Sequence, residues 1–395
     1  MFPSHIEQDG IDSGAARKAL AGFFVSGLLM SFLGAILPAW GYHLRSEYTI
    51  IGDYFLSLNI GILASAKVAL SLMGKKGVSF VLVTACLLAS SGLVHLAFVA
   101  PPASVLLRMA GFLVIGFAAG MLNTAIFHAI SPVYRQDPAA TINLSGIFFG
   151  LGCLMTAALI SGTFYAYPVS AILLLLAVVP ALFAVMYWRS SFASEGPLRE
   201  RTFSQLVRDF RSPAAVLFSL LLFFQFGNEW AIAGWLSLFL IQRLGISPSV
   251  SLLMLAFYWL ALLLGRVLAQ WVLPRFRHSR ILAASVVSAM LGCIILAFTD
   301  NLFGASSGVL LLGLGFASIY PLVVERMGKK FPYYHPGLFN GIFAIALTGG
   351  LVAPWSLGFF AERYGMQVVM ALPAAGTIAV GFLLLLIWLE AKIGG

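Results

Sequence analysis

Stretches of about 20 residues almost free of charge follow one another along this chain, separated by short polar links. That spacing limits the fold more than any motif does, because a helix needs about 20 mostly apolar residues to cross a bilayer's hydrocarbon core. The sequence predicts twelve such spans, near 18–41, 50–73, 77–99, 103–129, 139–162, 166–188, 213–241, 248–272, 279–299, 303–326, 338–360 and 366–390. The period-2 alternation of a membrane β-barrel is absent. The expected fold is therefore an all-α membrane protein. Composition agrees, since charged residues are 9% of the chain against about 25% in a soluble domain.

Twelve spans return the chain to the side on which it began, and Lys and Arg choose that side. Seventeen fall on the side of the termini; Arg45, Arg243 and Arg363 fall opposite, and Lys67, Arg108 and Arg266 lie within spans. The bias predicts cytoplasmic termini in a bacterial-type inner (plasma) membrane. It also accounts for the net charge of +9 without a nucleic-acid partner. The acidic opening "MFPSHIEQDGIDSGAA" lacks the basic start of a signal peptide, and the apolar run after Lys18 is too long for one. It is read as an uncleaved first span.

Several chemistries are excluded. Cys86, Cys153 and Cys293 stand singly in apolar runs, which points to packing rather than disulfides or metal. "GASSG" (304–308) matches G-x-S-x-G but opens a membrane span, not the strand–turn–helix elbow that chemistry requires. With no phosphate loop, metal cluster or nucleotide-binding domain in the sequence, neither a cofactor nor an enzyme is expected, and ATP is not the energy source through this chain.

The two halves repeat. "GFLVIGFAAGMLNTAIFH" (111–128) aligns with "GVLLLGLGFASIYPLVVE" (308–325), pairing Gly111 with Gly308 and Gly116 with Gly313. "SGIFFG" (145–150) aligns with "NGIFAI" (340–345), and Gly27, Gly34 and Gly61 align with Gly227, Gly234 and Gly265. The longest polar stretch, 189–212, divides them. The expected organisation is an N-terminal six-helix bundle (1–188), a cytoplasmic interdomain loop (189–212) and a C-terminal six-helix bundle (213–395).

Two parallel six-helix repeats resemble the major facilitator superfamily over essentially the whole chain. That resemblance implies a solute site at the repeat interface near the midplane. Within it, "GAILPAW", "GNEWAIAGWLSLFL", "GRVLAQWVLPRF" and "GLGFASIYP" resemble the fucose permease-like (FHS) sugar porter family. The sequence also departs from these patterns. In "KVALSLMGKK", Ser71 and Leu72 occupy the Asp and Arg positions of the superfamily's loop after span two, and Lys67 its leading Gly. The inner gate therefore lacks the standard charge relay. In "NTAIF", Asn123, Thr124 and Phe127 stand where the sugar porters carry D-T-x-x-N, so one proton site is missing.

An ionisable group inside a membrane costs at least about 2.5 kcal/mol and is a functional candidate by default. Glu229, in "FFQFGNEWAIAGWLSLFL" (223–240), is the foremost; the repeat places Leu29 opposite it, so the carboxylate is not scaffold. Burial disfavours an ionised carboxylate, so its protonation suits coupling to binding. The rival is a neutral, hydrogen-bonded interhelical acid. Gln225 shares the Glu229 face at i, i+4, and with Asn228 and Trp230 it makes an amide, carboxyl and aromatic group suited to a polyol or sugar. Asn123 aligns with Tyr320, and both are expected on a central cavity, with interhelical bonding the rival. Asn340 and Trp355 are further substrate candidates.

Asp53 is the second candidate for proton coupling, although its place near the end of span two also fits a gate or cap. Lys67, Arg108, His128, Arg266 and Glu325 are gate candidates; Lys67 is near enough to a span end to snorkel. Tyr258 and Trp259 read as lipid-facing bulk, and His95 as a hydrogen-bonded lone histidine. Together these point to a monomeric secondary active transporter, working by alternating access in the lipid bilayer. It would move a small neutral solute, a sugar first, with H+ coupled through Glu229 and Na+ as the other ion. The alternatives are an exporter of amphipathic drugs or lipid flippase, and a non-transporting solute sensor of the same fold.

Overall fold

The computed structural model describes residues 13–44, 47–131, 133, 138–192, 212–272, 275–331 and 336–393. Its regular elements are all helical. They are α1 (Ser13–Ala39), a 3-10 turn (Tyr42–Leu44), α2 (Tyr48–Lys76), α3 (Val78–Phe98), α4 (Val105–Ala129), α5 (Pro138–Thr163), α6 (Val169–Trp188), α7 (Pro213–Leu244), α8 (Pro248–Val272), α9 (His278–Phe298), α10 (Leu302–Lys330), α11 (Pro336–Tyr364) and α12 (Val368–Ile393). All twelve are long and apolar enough to cross a membrane, so every span expected from the sequence is a helix.

Local chemistry sets the helix ends. Pro213 opens α7, where its missing N–H costs nothing, and Gly245 closes it at φ 63°, a conformation that penalises other residues. Asn301 caps α10 by accepting from the Gly304 N–H at 2.8 Å. Large apolar side chains such as Leu63, Leu182 and Phe382 remain exposed along the helices, as expected where lipid rather than water is the neighbour.

The chain forms two compact units. In the first, Met1–Leu33 and Ser57–Pro197, small residues let backbones touch. A Cβ on Gly116 of α4 would strike the Leu58 carbonyl of α2, and one on Gly61 would strike the Leu113 carbonyl of α4. Gly27 meets Phe149 in the same way, joining α1 to α5, while α3 packs on α4 and α6. In the second unit, Gly34–Leu56 and Leu198–Gly395, the repeat-matched glycines make the matched contacts. Gly313 of α10 abuts Tyr258 and Ala261 of α8, and Gly265 abuts Leu314 and Ala317. Gly349 of α11 lies against the Phe223 carbonyl of α7.

The units are not the two sequence halves. The end of α1, the start of α2 and the turn between them pack with the C-terminal helices. Glycine again explains the contact: Gly34 lies against Ala233 and its own repeat partner Gly234, and Gly52 against Gly358. The Ser237 hydroxyl donates to the Gly34 carbonyl at 3.1 Å. The Thr49 N–H and hydroxyl both donate to Glu362 Oε2 at 3.1 Å. Most of the 189–212 loop lies outside the described residues.

Candidate functional site

Helix α7 carries the polar group that the sequence singled out, within the second unit. Gln225 and Glu229 are one helical turn apart and meet as expected: Gln225 Nε2 donates to Glu229 Oε1 at 2.8 Å. Gln225 is fully buried, and its own Oε1 is buried with no hydrogen-bond partner. An orphan buried acceptor costs about 1–3 kcal/mol, so it marks a place where a donor belongs. Glu229 itself is half-buried. Arg266 of α8, a gate candidate by sequence, is close enough to act on the Glu229 charge. A carboxylate in this apolar helix thus has an amide of its own helix as hydrogen-bond partner and a guanidinium of the next helix within electrostatic range.

Aromatic rings flank the group. Trp230 meets Trp259 of α8 edge-on, with ring centroids 6.3 Å apart, and Tyr258 lies against Trp259 at 5.2 Å. Tyr258 and Trp259 are fully or nearly fully buried, which corrects their reading as lipid-facing bulk. Trp259 packs against Trp230, whose ring also closes on Gly350 of α11, where a Cβ would collide with it. Phe226 meets Tyr320 of α10 at 5.3 Å in a T-shaped pair, so Tyr320 stands beside the same face of α7. Trp235 is fully buried, and its indole N–H donates to the Pro354 carbonyl at 2.9 Å.

Asn228 points elsewhere. It is buried against Gly376 of α12, and its satisfied amide orientation donates to the Phe224 carbonyl at 3.3 Å and accepts from the Thr377 N–H at 3.2 Å. Its hydrogen bonds therefore tie α7 to α12 rather than join the Gln225–Glu229 group. Asp53 and Trp355, given different roles by sequence, line one cavity of about 320 Å³ between α2 and α11.

The gate candidates scatter. Lys67 is exposed on α2. Arg108 is buried and donates to the Ala103 carbonyl at 2.7 Å, bracing the start of α4. His128 is half-buried near the end of α4, and its Nδ1 lacks a hydrogen-bond partner. Glu325 joins α10 to α9 through His278 at 3.1 Å and takes Lys329 of its own helix at 2.6 Å. Asn123 is half-buried on α4 of the first unit. The side chain of Asn340 lies outside the described residues.

Sequence reasoning missed the nearness of Arg266 to Glu229, the Trp230–Trp259 support and the His278–Glu325 bridge. The first was within reach, because Arg266 and Glu229 both stand within spans, where a charge without a counter-charge is costly. Among the described residues no group of His, Cys, Asp or Glu is arranged to hold a metal ion.

A model of the Major Facilitator Superfamily matches residues 19–352. An uncharacterized MFS-type transporter of Yersinia pestis is 23% identical over 373 residues, covering 92% of this chain and 94% of its own. Among solved structures, the nucleoside transporter NupG, in a point-mutant form, superposes with a TM-score of 0.72 at 14% identity, covering 94% of this chain and 99% of its own. The E. coli Fucose:proton symporter FucP, also a point mutant, gives 0.61 at 17%, covering 94% and 98%.

Proposed function

The chain belongs to the Major Facilitator Superfamily, and from that premise we propose that it carries a small neutral polyhydroxylated solute, a sugar first, coupled to H+ through Glu229. The coarser statement, that it is a secondary transporter, follows from the family. The observation that carries the finer one is the Gln225 Oε1 acceptor, buried without a partner in a side chain that binds the Glu229 carboxylate. A hydroxylated ring supplies what is missing: O–H donors for the two acceptors and a C–H face for Trp230. The two structural neighbours are a nucleoside transporter and a fucose symporter, which supports a solute of that kind.

Coupling follows from the amide. An ionised Glu229 accepts from the Gln225 NH2, leaving the Gln225 carbonyl oxygen to accept from solute. A protonated Glu229 has an O–H to donate; a flip of the Gln225 amide lets it donate to Oε1 and turns the NH2 towards the solute. One proton thereby exchanges an acceptor for a donor in the site. That difference is what lets protonation bias solute affinity.

The test is flux into proteoliposomes of purified protein under an imposed pH gradient, with labelled sugars and nucleosides as probes. Gradient-driven uptake of a hydroxylated solute is expected. Lipophilic-cation flux without sugar or nucleoside uptake would turn the assignment to an amphipath exporter, and ligand binding without any flux to a sensor. We further propose cytoplasmic termini in an inner (plasma) membrane, from the Lys and Arg bias. A cysteine introduced at Ser204 is expected to label only after the membrane is permeabilised; labelling in intact cells would invert the orientation.

A further inference from the structure

We propose that the cavity between the first turns of α2 and the last turns of α11 is a second binding site, for an organic ammonium group. Its walls are Thr49 and Asp53 on one side and Trp355, Ser356, Phe359 and Phe360 on the other, around about 320 Å³. That volume is at the small end of ligand pockets and suits an ammonium bearing a few carbons. Three aromatic rings and one carboxylate line it, with no basic side chain among them. Ring faces attract alkylated cations, and a carboxylate supplies the countercharge. Asp53 need not be idle for this, because an ionised carboxylate accepts at about four lone-pair positions.

The rest of the cavity is already committed in a way that fits a cation. The Thr49 N–H and hydroxyl, the donors that would suit an anion, are both taken by Glu362. The Ser356 hydroxyl donates to the Ala353 carbonyl of its own helix. A bare proton would gain nothing from the aromatic wall, and a metal ion would want more oxygen ligands.

The site is separate from the Gln225–Glu229 group. Gly350 is the α11 residue that meets Trp230, and Trp355 lies five residues further on, about 7.5 Å along the helix. By the alternation of twelve spans, the start of α2 and the end of α11 fall on the side opposite the termini, towards one lipid–water boundary. The ammonium can therefore arrive on a phospholipid amine or on a soluble amine; the chemistry is shared.

Purified full-length protein titrated with tetraethylammonium chloride, against matched sodium chloride, is expected to show a saturable rise in thermal midpoint. Asp53→Asn and Trp355→Leu should each weaken it at least about tenfold. Trp355 is partly exposed, so its replacement keeps the comparison open should Asp53→Asn fail to fold. A second arm compares phosphatidylethanolamine with phosphatidylglycerol nanodiscs; stabilisation by the former, lost in the same variants, assigns the site to lipid, and soluble-cation binding alone assigns it to amines. Glu229→Gln should retain the response. Binding that survives in both cavity variants, or is lost in Glu229→Gln instead, overturns the site, as does no response to either probe.

Discussion

Glu229→Gln is expected to bind solute and to exchange it across the membrane, yet to lose accumulation driven by a pH gradient. Glutamine keeps the shape and the hydrogen bonding of the carboxyl group while removing its titration. One pH unit is worth about 1.4 kcal/mol per proton, which corresponds to about tenfold accumulation for a 1:1 symporter. In the variant that ratio should fall to about one, with exchange of labelled for unlabelled solute preserved. The contrast matters because a merely structural defect would depress both. Undiminished proton-driven uptake would show that the carboxylate is structural, and Asp53 would be the next residue to replace.

The helices were legible because the membrane imposes one requirement on every span, and no tertiary partner can override about 20 consecutive apolar residues. The glycine contacts were legible through the repeat: Gly116 and Gly313, matched as letters, both abut the second helix of their own bundle. What could not be read was which backbones those glycines admit. Gly34 was matched with Gly234 as a repeat partner, but nothing in the letters says that the two lie against each other and draw residues 34–56 into the second unit. The faces of α8 were also hidden. Tyr258 and Trp259 suit lipid as well as core by composition, and only the position of Trp230 decides between them. Gln225 and Glu229 were found together because an i, i+4 pair is fixed by the helix itself. Asn228, one residue away, turns to α12, where its neighbours Gly376 and Thr377 are 148 and 149 residues distant in sequence.

Arg266 gives the second large effect. If the guanidinium balances an ionised Glu229, Arg266→Gln should destabilise the protein more than the loss of its own contacts explains, because it leaves a carboxylate in an apolar helix with only an amide for company. Removing one partner of a fully buried pair costs about 3–5 kcal/mol, whereas replacing both is often close to neutral. Both side chains here are half-buried, which lowers the coupling; about 1–2 kcal/mol is expected, above the surface-pair range. The measurement is a double-mutant cycle with Glu229→Gln, read by unfolding in detergent at one neutral pH. The double variant should be more stable than the sum of the single losses by that amount. A coupling near zero, with Arg266→Gln itself harmless, would mean that Glu229 rests neutral. The resting carboxyl group would then donate to Gln225, and the proton would already be on board before the solute arrives.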